Sequence, residues 1–341
     1  MDTLRLEKPR EWKRLDVAEP EPQPGDAVVR VLKVGVCGTD VGGYLGKFPF
    51  FKYPRIPGHE LAVEVLSLPE GVEHIEVGDL CAVEPYINCQ TCQSCRQGTP
   101  NCCENHKTLG VMCDGGLTEQ IAVPARRLHR ANGLEPEQAA LVETLAVGCH
   151  AVDRGMVAAG ESALILGAGP IGLAAYEFVK LAGATPIVAD ISGERLEFVR
   201  EKLGVERTIL ITGGDEDVTA INNASTDDRP QVVIDATGHA GSMVRAMEFV
   251  AFGGRVVYVG ITHGELRFPH PDYFHRREIT LLASRNALSR DFTRIIRLIA
   301  AGELSTDPWI THRLTFDDIE TRFDETFSGG GGLIKAIVSV P

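Results

Sequence analysis

Cys89, Cys92, Cys95 and Cys103 follow one another as C-x2-C-x2-C-x7-C. Four thiolates this close can surround one tetrahedral Zn²⁺ with sulfur at about 2.3 Å and leave it no open position, as in a structural site. The residues between them, Gln90, Thr91, Gln93, Ser94 and the run Arg96 to Asn101, are polar or turn-forming. Such a lobe has little apolar core of its own, so a metal would supply its folding energy. A disulfide cluster is the alternative. Cys102 reads as a bystander, because adjacent residues seldom both reach one metal.

A second set is spread over three segments: Cys37-Gly38-Thr39-Asp40, Gly58-His59-Glu60, and Glu143. A cysteine, a histidine and a carboxylate from separate segments can hold a catalytic zinc with one position left for substrate. Taken singly, Cys37 reads as a small core residue and His59 as a structural histidine; the combination gives them chemical meaning.

The third set is Gly167-Ala168-Gly169-Pro170-Ile171-Gly172, between a strand pattern and a helix pattern, with Asp190 eighteen residues further on. Glycines there let the backbone approach a pyrophosphate, and the helix N-terminus supplies N–H groups and the positive end of its dipole. The Asp190 carboxylate can accept from both hydroxyls of an adenosine ribose and would repel a 2′-phosphate. Ile191, Ser192 and Gly193 bring no compensating charge, so NAD is expected rather than NADP. Arg195 is placed to cover the adenine face.

Elements that must position these residues can be read from periodicity. Before residue 150, short β-rich pieces such as 27–36 and 61–68 alternate with Pro and Gly, the texture of an irregular, mostly antiparallel domain. From Ser162 the pattern becomes strand 163–166, helix 170–182, strand 186–190, helix 193–203, strand 207–211, helix 214–223 and strand 232–236. Helix 240–250 and strands 255–259 and 279–283 follow. This alternation predicts an α/β domain with a doubly wound parallel sheet. The apolar tail LIKAIVSV predicts a strand returning to the first domain, after a short loop at Gly329 to Gly332.

Bulk properties narrow the class. A length of 341 residues fits about two domains. A net charge of −13 argues against a nucleic-acid partner. No apolar run approaches the ~18 residues of a membrane span. The nine cysteines are an odd number, and the opening MDTLRLEKPREW lacks an apolar signal region. Reduced thiols in the cytoplasm are therefore expected.

With CGTD, GHE, the cysteine lobe and the glycine turn in place, the chain resembles the zinc-dependent medium-chain dehydrogenases/reductases over essentially its full length. The resemblance implies a mostly β, GroES-like catalytic domain at 1–146 and 285–341 around an NAD-binding Rossmann domain at 147–284. It also implies an active site in the cleft between them, and a dimer or tetramer. It implies two zinc ions per chain: one structural, on the four lobe cysteines, and one catalytic, on Cys37, His59 and a carboxylate. Glu60 and Glu143 both remain candidates for that carboxylate, the latter within a segment that matches A-L-x-E-P-L. Thr39 would receive the substrate proton. Gly167, Gly169, Pro170, Ile171, Gly172, Asp190 and Arg195 would hold NAD, Val259, Gly260 and Ile261 would face its nicotinamide, and Lys335 would reach its phosphates.

The stretches PFFKYPRIPGHE, NCCENHKTLGVMCDGG, GELRF and SRNA resemble the family's sugar-acid dehydrogenases, although polyol and threonine dehydrogenases share the framework. A sugar acid or polyol is the expected substrate, and Lys47, Lys52, Arg55 and Arg285 are candidates to meet a carboxylate. A zinc-free quinone reductase would lack both the lobe and the Cys37/His59 pair. A non-catalytic zinc module would not need the glycine turn. The chain departs from the family at Val63, Thr144 and above all Gly42, where relatives carry a proton-relay histidine. His263 and His275 are possible substitutes.

Overall fold

The computed structural model describes residues 1–328 and 332–341; of the loop expected at Gly329 to Gly332, only Gly332 is among them. The chain divides into two compact units, Met1–Glu143 with Ala287–Pro341, and Thr144–Asn286.

The first unit is built on the eleven-residue strand Asp26–Val36. Its alternating Ala27, Val29, Val31 side chains are buried, as expected of a strand with one face on the core. It pairs antiparallel with Glu60–Ser67, with Gln120–Pro124 and with the C-terminal strand Lys335–Ser339. Ile310–Leu314 extends the sheet in parallel beyond the last strand, and Leu80–Val83 and Leu128–Arg130 extend it on the other side. The returning C-terminal strand expected from LIKAIVSV is thus present. Two consequences follow for chemistry. Register sets Gly35 opposite Glu60, and Val36 opens directly into Cys37.

Three glycines shape the approach to His59. Gly58 has a φ of +99°, a left-handed conformation that side chains disfavour. A Cβ at Gly110 would come within 2.6 Å of the Gly58 carbonyl oxygen, and one at Gly115 would overlap it. The Gly116 amide donates to that same carbonyl at 3.0 Å, and the Leu117 amide to Pro57 O at 3.0 Å. Backbone therefore packs on backbone, and His59 leaves the crossing in one direction.

The second unit is a six-stranded parallel sheet in the order Thr208–Leu210, Thr185–Asp190, Ser162–Leu166, Val232–Asp235, Arg255–Tyr258, Thr280–Ala283. All five residues of Ser162–Leu166 are buried, because helices cover both faces of a central parallel strand. The order reverses beside this strand, and such a reversal opens a crevice at the carboxyl ends where ligands bind. The strand and helix bounds expected from periodicity agree with the observed ones to within two residues.

Gly115→Ala forces side-chain carbon into backbone and is expected to destabilise the protein by about 1–3 kcal/mol or more. Gly193→Ala, where a Cβ meets nothing within 4 Å, should be neutral or gain about 0.4–1 kcal/mol. Urea denaturation of the two variants checks the contrast.

Candidate metal and dinucleotide sites

Cys37, at the end of the central strand, and His59 and Glu60, after the glycine crossing, bring their ligand atoms within 4.8 Å of one another. Cys37 is half-buried; His59 and Glu60 are buried. The helix Gly38–Tyr44 begins immediately after Cys37, and its third residue, Asp40, turns back to accept the Cys37 amide at 2.9 Å through Oδ2. The other oxygen, Oδ1, lies 3.6 Å from His59 Nδ1, and neither atom has a hydrogen-bond partner among the described residues. A carboxylate facing one imidazole nitrogen fixes the ring so that the other is presented to a metal. Burial disfavours the His59 cation, but the charges of Asp40 and Cys37 outweigh it and raise the pKa well above its ordinary value. A cysteine–imidazole–carboxylate set whose second imidazole nitrogen faces an unpartnered Asp40 oxygen fits a divalent zinc ion.

Glu60 is seated over Gly35, where any Cβ would overlap its carboxylate. Lys335 Nζ donates to both of its oxygens, at 2.6 and 2.7 Å, and to Val36 O at 3.4 Å. The resemblance assigns Lys335 to cofactor phosphates. In the structure the ammonium is 1% exposed and carries a bidentate partner within its own sheet. Burial lowers its pKa, but Glu60, Cys37 and Glu143 together raise it by more, so the net shift is upward and the cation is retained.

Glu143 sits in the helix Pro136–Arg154, and its Oε1 accepts the phenolic O–H of Tyr86. Burial raises the Glu143 pKa, as does the charge of Glu60. Thr39 lies half-buried in the first turn after Cys37. At Gly42 an added Cβ would come 3.3 Å from Phe48 Cβ, so Phe48 packs where a larger side chain would stand. His263 and His275 are both exposed.

In the lobe, Cys89, Cys92, Cys95 and Cys103 place their sulfurs within 4.8 Å of one another, unlinked by disulfides. Cys92 and Cys95 are 3.5 Å apart, as are Cys103 and Cys89. Bonds of about 2.3 Å to a tetrahedral zinc imply sulfur–sulfur edges of about 3.8 Å, so the four fit that ion. Hydrogen bonds from Thr91 and then the Cys92 amide bring the Cys89 thiol down to about 5, while burial and its sulfur neighbours push Cys95 up to about 11. Cys102 is exposed and outside the set.

The lobe is tied down by a buried network that the sequence reading missed. Asn88 Nδ2 donates to Cys95 Sγ at 3.5 Å, and Arg127 donates to Asn88 Oδ1 and to Glu84 Oε1. Ser289 Oγ donates to Glu84 Oε2 at 2.6 Å, with His129 Nε2 3.1 Å from the same oxygen. Asp40 and Tyr86 were missed too. Their signals were the three-residue spacing of Asp40 from Cys37 and an aromatic just before the first lobe cysteine.

In the second unit, Gly167 has a φ of +102°, and a Cβ at Gly172 would overlap Gly167 O. Pro170 opens the helix Pro170–Leu181, with Ile171 and Gly172 in its first turn. Asp190 accepts the Ala168 amide at 2.7 Å and the Ser192 amide at 2.8 Å, one on each oxygen. The Arg195 guanidinium lies 3.7 Å from where a Gly169 Cβ would be. Val259 and Gly260 donate to Asp235 O at 2.9 and 3.2 Å, and Ile261 is exposed. The open backbone at Gly169 and the helix N-terminus fit a dinucleotide pyrophosphate. Of the cations considered for a substrate carboxylate, Arg55 donates to Asp114 at 2.8 Å, while Lys47, Lys52 and Arg285 are exposed.

The alcohol dehydrogenase GroES-like domain matches residues 23–133 and the zinc-binding dehydrogenase domain residues 170–301. The chain is 37% identical to the L-galactonate-5-dehydrogenase of Escherichia coli K12 over 99% of both chains. A zinc-binding dehydrogenase of Sinorhizobium meliloti solved with NADP superposes with a TM-score of 0.89 at 30% identity, covering 99% of this chain and 98% of that one. An Escherichia coli CFT073 alcohol dehydrogenase solved with NADH gives 0.91 at 27%, covering 99% of each.

Glu84 anchors the lobe network, and its pKa is lowered: burial raises it, but His129, Arg127 and Ser289 together lower it by more. Its contribution is complete above the unfolded carboxylate value of about 4.3 and fades as pH falls through the lower folded value. Glu84→Gln leaves Arg127 without its buried counter-charge, an expected loss of about 3–5 kcal/mol at neutral pH. Denaturation from pH 7 to 3 should show the gap from wild type shrinking below about pH 4.

Proposed function

The chain belongs to the zinc-binding alcohol dehydrogenase family, and we propose that it oxidises a secondary alcohol of a sugar acid, L-galactonate foremost, with NAD as hydride acceptor. The observation that carries this reading is the convergence of Cys37, His59 and Glu60 on one buried point, in a chain similar to L-galactonate-5-dehydrogenase from end to end. In this reading residues 1–146 and 285–341 form the catalytic domain and 147–284 the NAD-binding domain.

Cys37, His59 and Glu60 would hold the catalytic zinc, and Cys89, Cys92, Cys95 and Cys103 the structural one. Bound at the first set, zinc supplies Lewis-acid polarisation that lowers an O–H pKa from about 15.7 to about 7, on the order of 12 kcal/mol. Asp40 keeps His59 in the required orientation, and Lys335 holds the Glu60 carboxylate in place through both of its oxygens. Thr39 takes the proton of the substrate hydroxyl. Beyond Thr39, Gly42 offers no relay group, and the proton passes to solvent. A general base contributes about 3–5 kcal/mol, a smaller term than polarisation, so a shortened relay is tolerable. Asp190 binds the adenosine ribose, the turn at Gly167, Gly169, Pro170, Ile171 and Gly172 takes the pyrophosphate, Arg195 covers the adenine, and Val259 to Ile261 face the nicotinamide. Positioning of this kind replaces a bimolecular encounter by an oriented one.

A neutral polyol is the second reading. It is favoured by the Arg55–Asp114 pair, which leaves the substrate carboxylate to Lys47, Lys52 or Arg285. Among the described residues no helix is long and apolar enough to cross a membrane, and the thiol state of the lobe supports a cytoplasmic setting. The strand Thr280–Ala283 is an edge with Leu281 and neighbouring Phe252 exposed. Such an edge supports assembly into a homo-oligomer.

NADH formation measured with L-galactonate, other aldonates, galactitol, sorbitol and L-threonine tests the substrate. Selective turnover of L-galactonate is expected, and preference for polyols would favour the second reading. Cys37→Ser should fall from two zinc ions to one and lose turnover while still binding NADH, and full turnover with one zinc would refute the metal's role. kcat/KM should favour NAD over NADP, with Asp190→Ala narrowing the ratio.

A further inference from the structure

Two carboxylates compete for one place in this site. Glu60 lies within 4.8 Å of the Cys37 and His59 ligand atoms and is fixed by Lys335 and Gly35. Glu143 is buried nearby, close enough for the charges of His59, Glu60 and Lys335 to act on it. Yet it is not one of the converging set, and its Oε1 is engaged by the Tyr86 hydroxyl. Tyr86 is itself 3% exposed, with Phe292 edge-on at 6.3 Å and the His106 ring at 6.1 Å, so the phenol has little freedom to turn away.

We propose that Tyr86 is a positioning residue that latches Glu143 away from the catalytic metal, so that Glu60 is the resting carboxylate ligand. An O–H donating to a carboxylate in a dry site is a strong, charge-assisted bond. Without it, the buried Glu143 carboxylate needs another partner, and a metal held by Cys37, His59 and Glu60 would offer one. The latch thus keeps a position open for the substrate oxygen.

This rests on the dehydrogenase reading above, and its test separates the two. Zinc is counted in the purified protein, and its release to excess dipicolinate is followed in wild type, Tyr86→Phe, Glu143→Gln and the double variant. Tyr86→Phe is expected to hold the catalytic zinc about tenfold longer, as Glu143 enters as an added ligand, and to lose kcat. The double variant should return to the wild-type release rate. A supporting role without a latch predicts the opposite sign, faster release by about 10–100-fold, and release that is faster or unchanged overturns the proposal.

If Tyr86→Phe does not fold, Glu143→Gln decides alone. Unchanged release supports Glu60 as the resting ligand, while at least tenfold faster release makes Glu143 that ligand and overturns the latch. A wild-type protein with one zinc per chain would instead refute the dehydrogenase reading, and the latch with it.

Discussion

The Lys335–Glu60 ion pair, buried over Gly35, joins the three strands on which the first unit depends. Lys335 comes from the last strand, Glu60 from the strand after the glycine crossing, and Gly35 from the central strand between them. Removing two charges from water is costly, and the attraction offsets that cost only with good geometry and further hydrogen bonds. Here the geometry is bidentate, the Val36 carbonyl takes a further hydrogen bond, and the missing Cβ at Gly35 makes room for the carboxylate. Because the pair needs all three strands in register, it ties the chain's C-terminal end to the cluster of Cys37 and His59.

Around that pair the site is built from backbone rigidity rather than from long side chains. Gly58, Gly110 and Gly115 stack their backbones so closely that His59 has little room to drift. Asp40 then uses one oxygen for the Cys37 amide and turns the other toward the imidazole. A single short helix start therefore supports two candidate ligands at once. The cysteine lobe, with little apolar core, is fastened by Asn88 and by the buried Arg127–Glu84 ion pair.

The second unit solves a different problem with the same economy. Its glycine turn is shaped from within by Asp190, which accepts the Ala168 and Ser192 amides, one on each oxygen, and still has lone pairs for a ribose. Gly172 brings the helix against the turn, and the order of strands sets the crevice at the point where the winding reverses.

Fold class, the parallel alternation, the four-cysteine lobe and the glycine turn were all readable from the chain, because each is local. Periodicity, spacing and turn chemistry act over a few residues and tolerate no other arrangement. Cys37, His59 and Glu60 were readable as candidates from residue type and from resemblance, but nothing local says that residues 37 and 59 meet. Which carboxylate converges with Cys37 and His59, the partner of Lys335, and the contacts of Asp40, Tyr86 and Glu84 were not readable. A lysine in an apolar strand looks alike whether it faces a phosphate or a buried carboxylate. What decides is which strand lies beside it, and that is settled by long-range pairing and by the need of every buried charge for a partner.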